Sequence, residues 1–368
     1  MKRCGAAVVA FWAMASSASA VTSPVAAQGA PVIGGSGAAA GGAVVAPRSS
    51  AAVEDGVRPV PDPGGIINFV IENDSIAGTD QHYTNGFRFS VLTSEWSIPE
   101  WLERGANFLP FFDYSGNKRI SYAFGQSMFT PNDITISNPP DGERPYAGWL
   151  YGSIGLVSDT GSRLDNLQLT LGIVGPYSGA KDTQKIVHEL IGSPDPKGWA
   201  TQLKTEPGVV LSYERKWRGL LPALSDNPTG LAVDATPHAG VSLGNIYTHA
   251  NFGLTLRVGQ DLPADYGPPR VRPSLPGSDF FVPSERFGWY LFAGVDGRAV
   301  AHNIFLDGNT WKDSRSVDKE YFVGELQAGL VVTFANMRLG YTHVLRSKEF
   351  ETQDGFDEFG ALTFGFRF

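Results

Sequence analysis

The feature that most constrains this chain is a strict alternation of apolar and polar residues in segments that lie far apart in the sequence. Over 167–173, 252–258, 326–334 and 362–368, apolar residues occupy every second position, and most positions between them are Gly, Thr, Gln or Arg. A period of two is typical of β-strands whose two faces meet different surroundings. No apolar run after the N-terminal segment approaches the roughly 20 residues that a membrane-spanning helix requires. The sequence therefore predicts an all-β chain.

Two architectures give this alternation, a soluble β-sandwich and a transmembrane β-barrel. The Gly-, Ser- and Thr-rich face suits a polar lumen, and the chain ends on Phe368 in an alternating strand, which resembles the terminal signature of bacterial outer-membrane proteins. Aromatic residues near strand ends are typical of membrane interfaces. We expect this of Trp149, Tyr151, Trp217, Trp289, Tyr290 and Tyr341. These features favour a single antiparallel transmembrane β-barrel.

The pattern predicts twelve strands, an even number as expected when both ends of a barrel lie on one side. With a periplasmic N-terminus, the first, third and fifth connections face outward (75–83, 128–146 and 175–207). A short helix is predicted in the third of these outward connections, 175–207, over Ala180–Ile191. The inward connections 94–118 and 260–287 are long for that side. The strands are predicted at 66–73, 84–93, 119–127, 147–157, 166–174, 208–218, 234–244, 251–259, 288–305, 321–334, 336–345 and 359–368.

The N-terminal 63 residues are expected to stand outside the barrel. A basic start, an apolar stretch over 6–14 and Ala18-Ser19-Ala20 have the layout of a secretory signal peptide. We expect cleavage after Ala20, with a site near Ala27 as the alternative. Residues 21–63 are rich in Ala, Gly and Pro and contain no aromatic residue, which predicts a flexible linker. The barrel is then expected over 64–368.

The charge of the chain argues against nucleic acid as a partner. Loss of Lys2 and Arg3 with the leader leaves 27 basic residues against 37 acidic ones. Such a surface repels phosphate backbones. The only cysteine, Cys4, lies in the leader, so the mature chain is expected to hold no disulfide.

The densest polar cluster lies where the first predicted strand ends and the second begins. It comprises Glu72-Asn73-Asp74, Gly78-Thr79-Asp80 and Tyr83-Thr84-Asn85-Gly86. Carboxylate and amide oxygens are ligands that a hard cation such as calcium prefers. The same residue types also form ordinary turns, and for the cluster alone a polar hairpin is the favoured interpretation.

The third outward connection adds a histidine to the same end of the predicted barrel. His188 lies in the predicted helix, followed by Gly192 as a stop. A single helical histidine is usually structural, but a neutral imidazole beside a bound cation is a suitable general base for water. His82, His238, His249, His302 and His343 are expected to be structural.

Basic residues on the outward connections are candidates for binding a phosphate group on a substrate. Arg144 lies in the second outward connection, 128–146, and Lys181 and Lys185 lie in the predicted helix. A guanidinium pairs well with a phosphate. Lys197 and Lys204 are further candidates.

Taken in order, these motifs resemble the lipid A 3′-O-deacylase family over about residues 66–368. The family's members are twelve-stranded outer-membrane barrels that remove the 3′-linked acyloxyacyl group of lipid A in a calcium-dependent reaction. The matching pieces are Asn73-Asp74, Thr79-Asp80-x-x-Tyr83-Thr84-x-Gly86, Phe129-Thr130-Pro131, Arg144-Pro145-Tyr146-Ala147-Gly148, Val174-Gly175-Pro176, His188, Gly198-Trp199 and Glu206-Pro207.

The resemblance implies an active site of Asn73, Asp74, Thr84 and His188. His188 would be the base that activates water, Asp74 and Asn73 would hold calcium and the oxyanion, and Thr84 would support the substrate or water. The chain departs from the family at Pro194, where the characterised enzyme has an acidic residue; Asp195 is adjacent.

Three functions remain open at this point. The first is a hydrolase of lipid A or lipopolysaccharide in the outer membrane, with its site facing the cell exterior. The second is a barrel that cleaves phospholipid esters by the same chemistry, and the third is a non-catalytic channel or structural barrel. We expect a monomer in each case.

Overall fold

The computed structural model shows one closed antiparallel β-barrel of twelve strands. It describes residues 64–74, 82–95, 98–107, 112, 116–220, 231–263, 265–267, 279–281 and 284–368. The predicted signal peptide and linker and the Gly78-Thr79-Asp80 motif lie outside these residues. Each strand pairs with its sequence neighbours, and β12 pairs with β1 to close the barrel. We call the end where β1 finishes the upper end, and the opposite end the lower end.

The strands form where the alternation predicts them, with most ends moved by one to four residues. The first strand, β1, begins and ends at the predicted residues, and so does the helix α2, Ala180–Ile191. Two shorter helices are α1, Glu100–Asn107, and α3, Ile304–Asp307. The strands are β1 Ile66–Asn73, β2 His82–Leu92, β3 Asn117–Thr130, β4 Ala147–Asp159, β5 Arg163–Val174, β6 Glu206–Trp217, β7 Leu231–Gly244, β8 Tyr247–Gln260, β9 Ser284–Asn303, β10 Phe322–Ala335, β11 Met337–Arg346 and β12 Asp357–Arg367.

Burial along the strands distinguishes the barrel from a sandwich. In β8 and β10 the apolar set points outward, with Phe252 65% and Leu326 55% exposed, whereas the polar set is buried. Thr255 and Gln327 are 3% and 5% exposed. A sandwich would bury the apolar set, whereas a membrane barrel exposes it to lipid. No helix in the described ranges is both long and apolar enough to cross a bilayer.

The lumen is filled by charged and aromatic side chains. Near the lower end, Arg88 donates to Asp279 (Nη1–Oδ1 2.7 Å), and Arg257 pairs with Asp265. Both aspartates belong to the long connection between β8 and β9. Near the upper end, Phe305 of α3 stacks on Phe129 with ring centroids 4.1 Å apart. Loop residues therefore occupy both ends of the barrel interior.

The aromatic residues proposed for the membrane interface divide into two groups. Trp149 and Tyr151 belong to the lumen cluster around Phe305, and Tyr290 is fully buried. For these three the interface prediction is wrong, because their register places them on the inner face of the wall. Tyr341, Trp217 and Trp289 lie on the outer face and are partly exposed, Tyr341 by 38%.

Candidate functional site at the upper rim

The helix α2 packs on the outer face of the barrel wall, not over its mouth. In β3, Tyr122 and Phe124 point outward and are 47% and 49% exposed. Gln126 and Met128 continue that face, since side chains alternate along a strand, yet they are 3% and 0% exposed. The helix and the segment before it cover them, with Met128 and Ala180 in one apolar cluster.

Gly148 allows the helix to approach the wall. It lies at the start of β4 with Met128 as its partner in β3. A Cβ placed at Gly148 would clash with Ala180 Cβ and Ser178 Oγ. A side chain here would therefore lift α2 off the wall. This explains the glycine in the sequence Arg144-Pro145-Tyr146-Ala147-Gly148 by close packing.

Two side-chain amides fasten α2 to its surroundings. Gln126 Nε2 donates to the carbonyl of Ser178 at 2.6 Å, just before the helix begins. Trp199 Nε1 donates to Gln184 Oε1 at 2.7 Å. An indole N–H is only a donor and a carbonyl only an acceptor, so both amides have a fixed orientation.

The segment after α2 folds back against the same cluster. Trp199 packs on Tyr146 with ring centroids 5.0 Å apart, and Tyr146 Oη donates to the carbonyl of Ile134. Gly198 lies so close to the Tyr146 ring that a Cβ there would clash with it. The motif that contains Tyr146 and the Gly198-Trp199 motif are far apart in sequence, but they pack together beside α2 and hold it in place.

His188 lies on the buried side of α2, in a row with Ala180 and Gln184. It is 4% exposed, and its Nδ1 lies 2.6 Å from the carbonyl oxygen of Pro194. A carbonyl only accepts, so Nδ1 carries the proton, and in the neutral ring Nε2 is the basic nitrogen. The backbone carbonyl of Pro194 therefore orients the imidazole, while Asp195 is exposed.

The other three predicted site residues lie at the same rim. Asn73 ends β1 and pairs with Asn85 of β2, which pairs with Met128 of β3. Asp74 follows and is 1% exposed. Thr84 precedes Asn85 in the backbone of β2, and its side chain lies outside the described residues.

The oxygen donors at the end of β1 fit calcium by their chemistry. Within the ranges that the structure describes, no three acidic, histidine or cysteine side chains converge on one point. Asp74 supplies a buried carboxylate, and Asn73 and Asn85 supply amide oxygens. Calcium takes six to eight oxygens and accepts carbonyl groups and water among them. These donors therefore suit a hard cation completed by backbone, water or substrate oxygens.

Arg144 occupies a different place from the one expected. It is fully buried, its Nη1 lies 2.9 Å from Glu349 Oε2, and its guanidinium stacks over Phe129. Burial raises the pKa of Glu349, but Arg346, Arg144 and Arg298 outweigh it and lower that pKa to about 2. The surface contact with a substrate phosphate predicted for Arg144 is wrong, because its charge joins two loops inside the protein.

The lysines of α2 are on the surface as expected. Lys181 is exposed, and Lys185 is 58% exposed and 3.9 Å from Glu189. Lys197 and Lys204 are exposed as well. These lysines remain candidates for contacting a phosphate.

Three other described histidines lie close to carboxylates, and His249 is buried with its ring centroid 6.1 Å from that of Tyr247. His238 Nε2 lies 2.7 Å from Asp296 in the lumen, and His302 Nδ1 lies 2.9 Å from Asp307 at the upper end. His343 lies on the outer wall, 3.8 Å from Glu358.

Sequence reasoning missed Gln126 and Gln184. Gln184 carries a recognisable signal, because it precedes His188 by four residues and so shares its helix face. Gln126 carries none, because its burial depends on a helix that begins 54 residues later.

The barrel with its lipid-exposed apolar wall defines an integral outer-membrane protein. The chain belongs to the outer membrane protein LpxR family, whose model matches residues 19–368. The solved structure of LpxR from Salmonella typhimurium is similar at a TM-score of 0.64 and 18% identity, over 82% of this chain and 99% of that one.

Two autotransporter barrels are more distantly similar. The beta domain of Bordetella BrkA matches with a TM-score of 0.41 and 12% identity, over 83% of this chain and 99% of that one. The NalP translocator domain of Neisseria meningitidis matches with a TM-score of 0.33 and 11% identity, over 83% and 88%. No curated protein matches this chain.

Proposed function

We propose that this protein is a calcium-dependent esterase that hydrolyses the 3′-linked acyloxyacyl ester of lipid A at the outer surface of the outer membrane. The observation that carries the proposal is the position of His188 on the buried side of α2, the helix that packs on the outer wall. A lipid substrate would reach a site on the outer wall laterally, from within the membrane leaflet. A lumen filled by loop residues at both ends is a weaker setting for a channel.

The dimensions of α2 support a shared site for the four residues. The helix begins against Gly148 of β4 and contacts β3, which lies toward β2 and β1. Ala180 and His188 are eight residues apart, so the helix carries His188 about 12 Å along its axis. Strands are about 4.8 Å apart, so that length spans two to three strands. Directed across the strands toward β1, the helix would carry His188 past β2, next to the strand that ends at Asn73.

The chemistry follows from the orientation of His188. With Nδ1 donating to Pro194, Nε2 removes a proton from a water molecule as the water attacks the ester carbonyl. The imidazolium then returns the proton to the departing sugar oxygen, which frees the acyloxyacyl chain as its acid. A calcium ion bound by Asp74 and Asn73 would polarise the carbonyl and stabilise the oxyanion. Thr84 would orient substrate or water, and Lys181 and Lys185 would attract a substrate phosphate.

Mass spectrometry of lipid A and phospholipids from cells that express the protein tests this proposal. His188→Ala and Asp74→Ala should each abolish acyl release, and heat-modifiable gel migration should show a folded barrel. His343→Ala is the matched control on the outer wall and should stay active. Full activity of His188→Ala would contradict the assignment of His188 as the general base.

The two other functions give different results in the same experiment. Loss of phospholipid acyl chains with intact lipid A would assign a phospholipase. Release from neither lipid would favour a non-catalytic barrel.

The metal is tested separately by chelation. EGTA should stop the reaction and calcium should restore it. Calcium should also raise the thermal unfolding temperature of the purified wild type but not of Asp74→Ala. Activity and stability that are both indifferent to EGTA would overturn the calcium assignment.

A further inference from the structure

The last two turns of α2 expose large apolar side chains that no described residue covers. Ile186, Leu190 and Ile191 are 58%, 81% and 47% exposed. We call these three residues the apolar flank. Leaving a Leu or Ile side chain in water forgoes the favourable free energy of burying it. Three such residues in the last two turns of one helix indicate a surface that meets something apolar.

The charged residues of α2 lie on a different side of the helix. Lys181, Lys185 and Glu189 follow each other at four-residue spacing, so they form one row, which we call the charged flank. Lys185 and Glu189 are 58% and 62% exposed. The row that contains Ile186 and Leu190 begins with Asp182 in the first turn, where an acidic group favours the helix start.

The buried row of Ala180, Gln184 and His188 fixes which sides are left for other contacts. That row faces the barrel wall, so the helix lies along the wall with the two flanks on its free sides. An amphipathic helix lies in a membrane interface when one side is apolar and another is charged. The last two turns of α2 have this division.

The lipid-facing wall continues directly to the helix. Phe124 is 49% exposed on β3, and Gln126 on the same face bonds to Ser178 at the start of α2. Two residues of a strand span about 7 Å. On β5, Leu171 is 53% exposed at a similar distance from the rim. The apolar flank is therefore an extension of the barrel's own lipid contact.

We infer that α2 lies in the outer-leaflet interface, with the apolar flank among the acyl chains of the surrounding lipid and the charged flank toward water and headgroups. This membrane contact is independent of any hydrolase activity. It would hold the helix, and with it His188, at a constant depth relative to the lipid ester bonds.

Single-cysteine labelling tests the inference, because Cys4 is the only cysteine of the chain and lies in the predicted leader. Leu190→Cys and Lys185→Cys are each labelled with nitrobenzoxadiazole and reconstituted in phosphatidylcholine vesicles. Phe124→Cys is the positive control on the lipid-facing wall. Acyl-chain doxyl phosphatidylcholine then quenches label that contacts lipid, and aqueous iodide quenches label that contacts water.

The expected result is doxyl quenching at position 190 close to that at 124 and at least threefold stronger than at 185, with iodide giving the opposite order. Equal quenching at 190 and 185, or iodide quenching at 190 as strong as at 185, overturns the inference. Ile186→Cys repeats the measurement on the same flank if Leu190→Cys does not fold.

Discussion

Gly148→Ala is the substitution that most directly tests how the barrel wall positions α2. The added methyl group would overlap Ala180 Cβ and Ser178 Oγ. Carbon atoms separate to about 3.5–4.0 Å at their optimum, so the helix has to retreat by about 1 Å or more. Overpacking of this kind costs about 1–3 kcal/mol. A displacement of about 1 Å at a catalytic group lowers the rate roughly 100-fold.

Two measurements separate position from stability. Hydrogen exchange of the backbone amides in 180–191 should quicken in Gly148→Ala, while the strands keep their protection. If the proposed function is correct, acyl release from lipid A should fall by about 100-fold. Both readings come from the same purified protein in detergent.

The chain offers a matched control and a rescue for this test. Gly152 lies on the same strand and face, and a Cβ there meets only the carbonyl of Ala123 at 3.8 Å, an ordinary contact. Gly152→Ala should therefore change neither measurement. Adding Ala180→Gly to Gly148→Ala removes one of the clashing atoms and should restore part of the protection. Unchanged exchange in Gly148→Ala, or a Gly152→Ala variant that is equally affected, would refute the packing argument.

Further predictions concern the groups that hold the upper end together. Glu349→Gln should lower the free energy of unfolding by about 3–5 kcal/mol, because it leaves the buried guanidinium of Arg144 beside a neutral partner, while Arg346 keeps its ion pair with Glu325; an unchanged urea midpoint would contradict this. Since the pKa of Glu349 is lowered from 4.5 to about 2, its stabilisation is fully present above pH 4.5 and is lost as the pH falls toward 2. The contribution is about 3 kcal/mol, and the acid unfolding curve of Glu349→Gln should lack it. Trp199→Phe removes the donor to Gln184 and should cost about 1–3 kcal/mol, seen as faster exchange confined to α2 and the 198–203 segment.

The interior of the barrel shows where pattern reasoning reaches its limit. Alternation identifies two faces of a strand but does not say which aromatic residues point inward. Trp149 and Tyr151 follow the polar register of β4 into the lumen, where Phe305 from a loop packs against Trp149 at 6.4 Å between ring centroids. That packing depends on a connection more than 150 residues away.

The ion pair of Arg144 was likewise not predictable from the sequence pattern. A loop arginine is exposed more often than buried. The acidic residue next to Arg144 is Glu143, but its carboxylate accepts from the backbone N–H of Asn132. Its partner Glu349 is 205 residues away and reaches it only because β3, β4, β11 and β12 end at one rim. The sequence shows how many charged residues the loops carry and of which sign, but it does not show that Arg144 pairs with Glu349.

The sequence by itself determined the twelve strands, the helix Ala180–Ile191 and the outward direction of the apolar set, because these follow from local periodicity and turn residues. It also brought Asn73, Asp74, Thr84 and His188 to one end of the barrel by counting strands. Only the tertiary structure decided that α2 lies on the outer wall, that Gln126 and Met128 are covered, and that the carbonyl of Pro194 orients His188. These facts depend on contacts between distant segments, whose geometry is set by the register of the closed sheet and by the close approach at Gly148.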